Sequence, residues 1–111
     1  MAAKYTFFVH MNATRHWLAL SRAERSAISD KLAASIFSRY PSVKVRFFDV
    51  EAFSAACSDI AMYETDDIQD YYFLTEALRD SEIYTVPYFD IVGIFPAIEG
   101  GFETYEQSLQ A

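Results

Sequence analysis

The segments of this chain that read as strands carry large apolar or aromatic side chains on both of their faces. In Tyr5-Thr6-Phe7-Phe8-Val9-His10-Met11, Val43-Lys44-Val45-Arg46-Phe47-Phe48 and Tyr88-Phe89-Asp90-Ile91-Val92, successive side chains point to opposite sides of a sheet. Neither side is therefore wholly polar. A layer of helices can bury one side. The other, with Phe8, Phe48 and Tyr88 beside His10, Arg46 and Asp90, requires a cover of its own, as a pocket, a subunit interface or both.

The rest of the chain supplies the helices. A first strand over about residues 4 to 12 ends at the turn Asn12-Ala13-Thr14. Ser21-Arg-Ala-Glu24 is a capping box, in which the serine hydroxyl accepts one free amide and the glutamate accepts another. Ile28, Leu32 and Ile36 then form one apolar stripe, and Tyr40-Pro41 ends the helix because proline disfavours helical geometry at its predecessor. Residues 43–49 and 58–65 read as strands, with a turn or short helical piece at 52–56 between them. The next helix begins at Asp66 or Asp67, where a carboxylate caps free amides, and turns Ile68, Tyr71, Tyr72, Leu74 and Leu78 inward. Residues 87–95 read as the last strand, and Gly100-Gly101 introduces a short helical segment over 102–107.

The order strand, helix, strand, strand, helix, strand is the ferredoxin-like split pattern, an α+β fold with both helices on one side of an antiparallel four-stranded sheet. A chain of 111 residues is the size of one domain, so residues 1–111 are expected to form a single ferredoxin-like unit. The open face predicts a homodimer of the dimeric α/β-barrel type, with the two sheets opposed at a two-fold axis and roughly 1,200–2,000 Å² buried.

Composition narrows the partners. The chain is 52% hydrophobic and 17% aromatic, the reverse of a disordered composition. A formal net charge of -7 argues against nucleic-acid backbones, which need clustered Lys and Arg, and equally against acidic membrane surfaces. No stretch approaches the roughly 18 apolar residues of a membrane span, and Met1-Ala2-Ala3-Lys4 lacks the pattern of a secretory leader. The single cysteine, Cys57, has no intrachain disulfide partner and reads as a small buried hydrophobe. A cytoplasmic protein is expected.

Lys4-Tyr-Thr-Phe-Phe-Val9, Trp17-Leu-Ala-Leu-Ser-Arg-Ala-Glu-Arg25, Val45-Arg-Phe-Phe-Asp49, Glu51-Ala-Phe-Ser54, Cys57-Ser-Asp-Ile60, Tyr71-Tyr-Phe-Leu74, Glu76-Ala-Leu-Arg-Asp80 and Thr85-Val-Pro-Tyr-Phe89 form a series that resembles the darcynins, a family of small bacterial proteins. The resemblance covers nearly the whole chain. It implies kinship and brings no substrate or catalytic residue with it. Residues His10 to His16 depart from the family pattern, so the resemblance lends no role to either histidine.

The strand phase assigns Thr6, Phe8, His10, Asn12, Lys44, Arg46, Phe48, Asp59, Tyr63, Tyr88 and Asp90 to the open face. Tyr5, Phe7, Val9, Val45, Phe47, Ile60, Met62, Phe89 and Ile91 then meet the helices, and a one-residue bulge would reverse the phase beyond it. In the split topology the first strand lies between the third and fourth. The leading reading is a pocket at the open face, where Phe8, Arg46, Phe48, Tyr88 and Asp90 hold a small aromatic or carboxylate-bearing molecule.

The alternative is a small cofactor-independent enzyme of the isomerase or monooxygenase type. His10 would exchange a proton, Asp59 or Asp90 would orient its ring, and Tyr63 would donate to a developing oxyanion. In a third reading the same groups form a satisfied cluster inside a dimer with no ligand, His10 bonded to Asp59 and Arg46 to Asp90 or Glu64. No metal site is expected, because no Cys or His pair has zinc-ligand spacing. Glu64-Thr-Asp-Asp67 reads as a helix start, and Glu99, Glu103 and Glu106 as a solvated face. No cofactor is expected either: phosphate-loop and nucleophile-elbow motifs are missing, and His10 is the one inward candidate for a heme ligand.

Overall fold

The computed structural model describes residues 3–110; residues 1, 2 and 111, which the single-domain expectation also covers, lie outside them. Four strands are joined by helices in the predicted order: β1 (Tyr5–Ala13), α1 (Arg15–Leu18), α2 (Arg22–Ser35), β2 (Lys44–Asp49), β3 (Asp59–Thr65), α3 (Ile68–Asp80), α4 (Glu82–Thr85), β4 (Phe89–Ala97) and α5 (Gly101–Ser108). The sheet is antiparallel in the order β2-β3-β1-β4. This is the ferredoxin-like α+β fold, with β1 between β3 and β4.

Local chemistry sets the helix starts. The Ser21 hydroxyl accepts from the Glu24 amide at 3.1 Å, and the Glu24 carboxylate accepts from the Ser21 amide at 2.9 Å. That second bond to the backbone, with the serine hydroxyl behind it, holds the Glu24 carboxyl below its usual range. Asp67 caps α3 by accepting from the Asp70 amide at 3.1 Å. The one-turn helices α1 and α4 were not foreseen. Each is capped by a hydroxyl, of Thr14 and of Ser81.

Cross-strand pairing fixes which side chains share a face, and here β3 departs from the expected phase. Phe7 pairs with Tyr63 and Met11 with Asp59, while Phe8 pairs with Met62 and His10 with Ile60. Tyr63 and Asp59 therefore face the helices, and Met62 and Ile60 lie on the open side. The physical reason is that β3 has apolar residues on both sides, Ile60 and Met62 on one and Ala61 and Tyr63 on the other, so alternation alone does not orient it. A second correction concerns β4. The ladder shifts between His10 and Met11, which pair with Gly93 and Ile91, so Val92 is an extra residue and the phase beyond it is reversed. Asp90 keeps its open-side position. Tyr88 precedes the strand, which begins at Phe89.

The core lies between sheet and helices and is centred on Phe7, Val9, Ala61, Tyr63, Leu74 and Leu78. Tyr71 of α3 stacks flat on Phe7, with ring centroids 3.8 Å apart and planes 4° from parallel. In α2 only Leu32 is buried. The molecule is elongated, 57 × 32 × 19 Å, and its radius of gyration of 16.1 Å exceeds the roughly 13 Å of a compact chain this long. No residue of α5 is buried.

Candidate functional site

A cavity of about 350 Å³ lies between α2 and the sheet. Its walls are mostly apolar: Leu32 from α2, Phe37 after it, Val45 from β2, Leu78 from α3, Ile83 from α4 and Phe89 from β4. Four polar side chains line it, Ser29, Asp59, Tyr63 and Tyr84. The volume falls within the range of small-molecule sites, and an apolar lining with a few polar groups is their usual make-up.

The sheet places two of these groups, α2 and α4 the others. Asp59 and Tyr63 are two alternation steps apart on β3 and so share the covered face. Tyr63 is only 4% exposed, and burial, followed by the neighbouring Tyr84 and Tyr71, holds its hydroxyl far above the ordinary tyrosine range. No hydrogen bond joins that hydroxyl to another described residue. Because every fully enclosed side-chain oxygen and nitrogen among them has a partner, the Tyr63 oxygen must meet open space, and the cavity is the space it lines. The Tyr84 hydroxyl donates to Met11 Sδ at 3.3 Å, and burial, the largest cause, pushes its pKa up to about 12.

Asp59 sits at the polar end. It accepts from the Ser58 hydroxyl at 2.6 Å, but burial outweighs that bond, and with Glu51 and Asp49 nearby its carboxyl is raised above the usual range. Donor oxygens of these three acids lie within 4.8 Å of one another. Trp17 packs against Phe89 and Tyr88, with centroids 5.0 Å and 5.6 Å away. Phe47, 64% exposed, meets Phe37 edge-on at 6.3 Å where the edge strand β2 emerges from under the helices.

The open face holds the other expected residues. Phe8, His10, Arg46, Phe48 and Asp90 share it, but the sheet separates them from Asp59 and Tyr63. The arrangement of His10 with Asp59 and Tyr63 expected for acid–base chemistry is not assembled, and His10 does not bond to Asp59. Instead His10 Nδ1 lies 3.9 Å from the Sγ of Cys57, which is buried, and its ring tilts against Phe95 at 4.9 Å. Arg46 does meet Glu64, at 3.5 Å. Sequence reasoning missed Met11, Trp17 and Tyr84 as cavity residues. The signal for Tyr84 was the helix cap at Ser81, three residues before it.

Comparison with known proteins agrees with this fold. Darcynin 1 of Acinetobacter baumannii is 56% identical over 89 residues, 80% of this chain and 99% of the relative. The darcynin of Chromobacterium violaceum is 54% identical over 74 residues, 67% of this chain and 94% of the relative. A heme-binding protein from Thermus thermophilus superposes on 100% of this chain and 46% of its own, with a TM-score of 0.81 at 15% identity. A mutant chlorite dismutase from Candidatus Nitrospira defluvii superposes on 100% of this chain and 49% of its own, with a TM-score of 0.71 at 11% identity. The chain thus spans about half the length of these two solved structures, and at such identities the likeness is one of fold. No described helix is long and apolar enough to cross a membrane. Residues 1–110 match the darcynin family, described as a domain of unknown function, and the chain belongs to that family.

Proposed function

We propose that this protein binds a small, largely apolar molecule in the cavity beneath α2, a neutral aromatic or aliphatic compound bearing one hydroxyl or carbonyl group. The observation that carries the reading is the Tyr63 hydroxyl, which has no hydrogen-bond partner among the described residues and lines a mostly apolar cavity. A hydroxyl that opens on an apolar cavity offers an entering molecule one hydrogen bond, worth on the order of 1 kcal/mol. The proposal moves the ligand from the open face, where it was expected, to the covered one. It also replaces a carboxylate-bearing ligand with a neutral one, because Asp59 is the charged group at the site.

Heme is named for one structural neighbour, and the residues here do not fit it. Heme iron takes a His, Cys, Met or Tyr ligand. The cavity lining contains no histidine or cysteine, Met11 Sδ already accepts from Tyr84, and both tyrosines are held protonated by burial. His10 lies on the opposite face of the sheet.

The test uses the single tryptophan, Trp17, which lines the cavity. Titration with p-cresol is expected to change Trp17 emission saturably, whereas benzoate at the same concentrations leaves it unchanged. Tyr63→Phe should weaken p-cresol binding about 3- to 10-fold, the worth of one hydrogen bond, without lowering the melting temperature. Equal responses to the two probes, or unaltered binding in the variant, would remove this assignment.

A further inference from the structure

The helix α5 and the open sheet face are two apolar surfaces on one chain that do not cover each other. Beyond Gly101 every described residue of α5 and after it is exposed. Phe102, Tyr105 and Leu109 recur at i, i+3 and i+7, which aligns them on one side of the helix, and Ile98 extends the stripe. Phe102 is 72% exposed. The segment is nevertheless built, not frayed. Gly100 takes the left-handed conformation at φ 63° that glycine tolerates and other residues resist, Ile98 packs over Gly101, and the Thr104 hydroxyl donates back to the Gly100 carbonyl at 3.1 Å.

The register describes the surface this stripe would meet. Arg46, Met62, Phe8 and Phe95 stand side by side across all four strands, and Phe48, Ile60, His10 and Gly93 form the next row. Together they make an apolar strip across the sheet with Arg46 at its β2 end, in which Phe48 and Phe95 stand out and Met62 is buried between its neighbours. Phe95 is 56% exposed. Phe102 to Leu109 spans about 10.5 Å along a helix, and three neighbouring strands span about 9.6 Å. The arm carries Glu99, Glu103 and Glu106 with no Lys or Arg, while the β2 end of the strip carries Lys44 and Arg46; Glu64, beside Arg46, and Asp90, at the far end, are the acids on that face.

We propose that α5 is an exchange arm that docks its apolar side across the open sheet face of a second copy of this chain, each copy embracing the other about a two-fold axis. The area is sufficient. Four half-exposed large side chains offer on the order of 500 Å² per arm. Two arms and the faces they cover then bury about 2,000 Å², the size of a standard specific interface. The cavity beneath α2 lies on the other side of the sheet, so this arrangement stands or falls independently of the ligand proposed there.

Sedimentation equilibrium on the full chain and on two single variants decides it. The unmodified protein should be a dimer. Phe102→Asp in the arm and Phe95→Asp in the face should each weaken association roughly 30-fold or more, the scale of losing an interface anchor. Both positions are exposed, and circular dichroism is expected to report an unchanged fold. An equimolar mixture of the variants should associate more tightly than either alone, because the intact arm of one meets the intact face of the other. A monomeric wild type would overturn the proposal. So would a Phe102→Asp variant that dimerises normally, which would mean two sheets meeting without arms, or a mixture that recovers nothing.

Discussion

α2 and α3 lie over the same face of the same sheet, and α3 is the more deeply packed of the two. On the α3 side Leu74 and Leu78 are buried, Tyr71 stacks on Phe7, and Tyr63 meets Tyr71 edge-on at 5.6 Å. On the α2 side Leu32 is the one buried residue of the helix, Ile36 at its end and the partly buried Ile28 pack beside it, and a cavity of about 350 Å³ lies below. The difference shows that helix formation and core formation are separable in this chain. α2 starts on a full capping box and α3 is held more by burial along its length; the space beside α2 is an apolar cavity among core side chains, whereas that beside α3, about 540 Å³, is a groove between its exposed flank and β4.

Truncation should divide the two sides most sharply. Leu74 is 1% exposed, and Leu74→Ala removes packed volume from a filled region, so denaturant unfolding is expected to register a loss of about 4 kcal/mol. Leu32→Ala borders space that is already empty and should cost nearer about 2 kcal/mol. Equal losses would mean that the two sides are packed alike.

A smaller effect is expected at the caps. Ser21→Ala deletes the hydroxyl that accepts from Glu24 and should cost about 1 kcal/mol, with hydrogen exchange accelerated most in α2 amides. Asp67→Ala at the head of α3 should leave the exchange of later α3 amides nearly unchanged, because packing protects them. Uniform acceleration in both helices would blur the contrast.

The smallest effect is electrostatic and depends on pH. Burial raises the Asp59 carboxyl, so the folded protein holds this proton more tightly than the unfolded chain, where the group titrates near about 3.9. Stability contributed by the protonated form is complete below that value and is lost as pH rises through the folded pKa. Asp59→Asn is therefore expected to raise the melting temperature slightly at pH 7 and to leave it unchanged at pH 3. A variant that stabilises equally at both values would show that Asp59 acts through shape alone.

Much of this architecture is legible in the sequence because local chemistry writes it there. Ser21 with Glu24, Asp67 ahead of Ile68, and Tyr40-Pro41 each mark a helix boundary through a hydrogen bond or a steric rule that needs no tertiary partner. The phase of β1 is also legible, since the apolar Phe7, Val9 and Met11 alternate with Thr6, Phe8, His10 and Asn12, a set in which Phe8 is the one apolar member. In β3 the alternation pits Ile60 and Met62 against Ala61 and Tyr63, and hydrophobicity does not choose between them. The extra residue at Val92 leaves no mark in a run of apolar residues, and Tyr88 was drawn into the strand by the aromatic that follows it. The cavity was the least legible feature, because it arises from contacts that α2 does not make, among residues most of which look like core.

The bulge in β4 has a consequence for how copies of this chain avoid one another in the wrong way. β2 and β4 are the outer strands, and an outer strand is a template on which further chains can polymerise. β4 meets that hazard with the surplus residue Val92 and with Pro96, which has no amide hydrogen to offer; β2 meets it with Lys44, Arg46 and Asp49. Edge-to-edge growth into fibres is thereby discouraged at both ends of the sheet. A concentrated solution of this protein should resist amyloid-type aggregation despite eighteen Phe and Tyr residues.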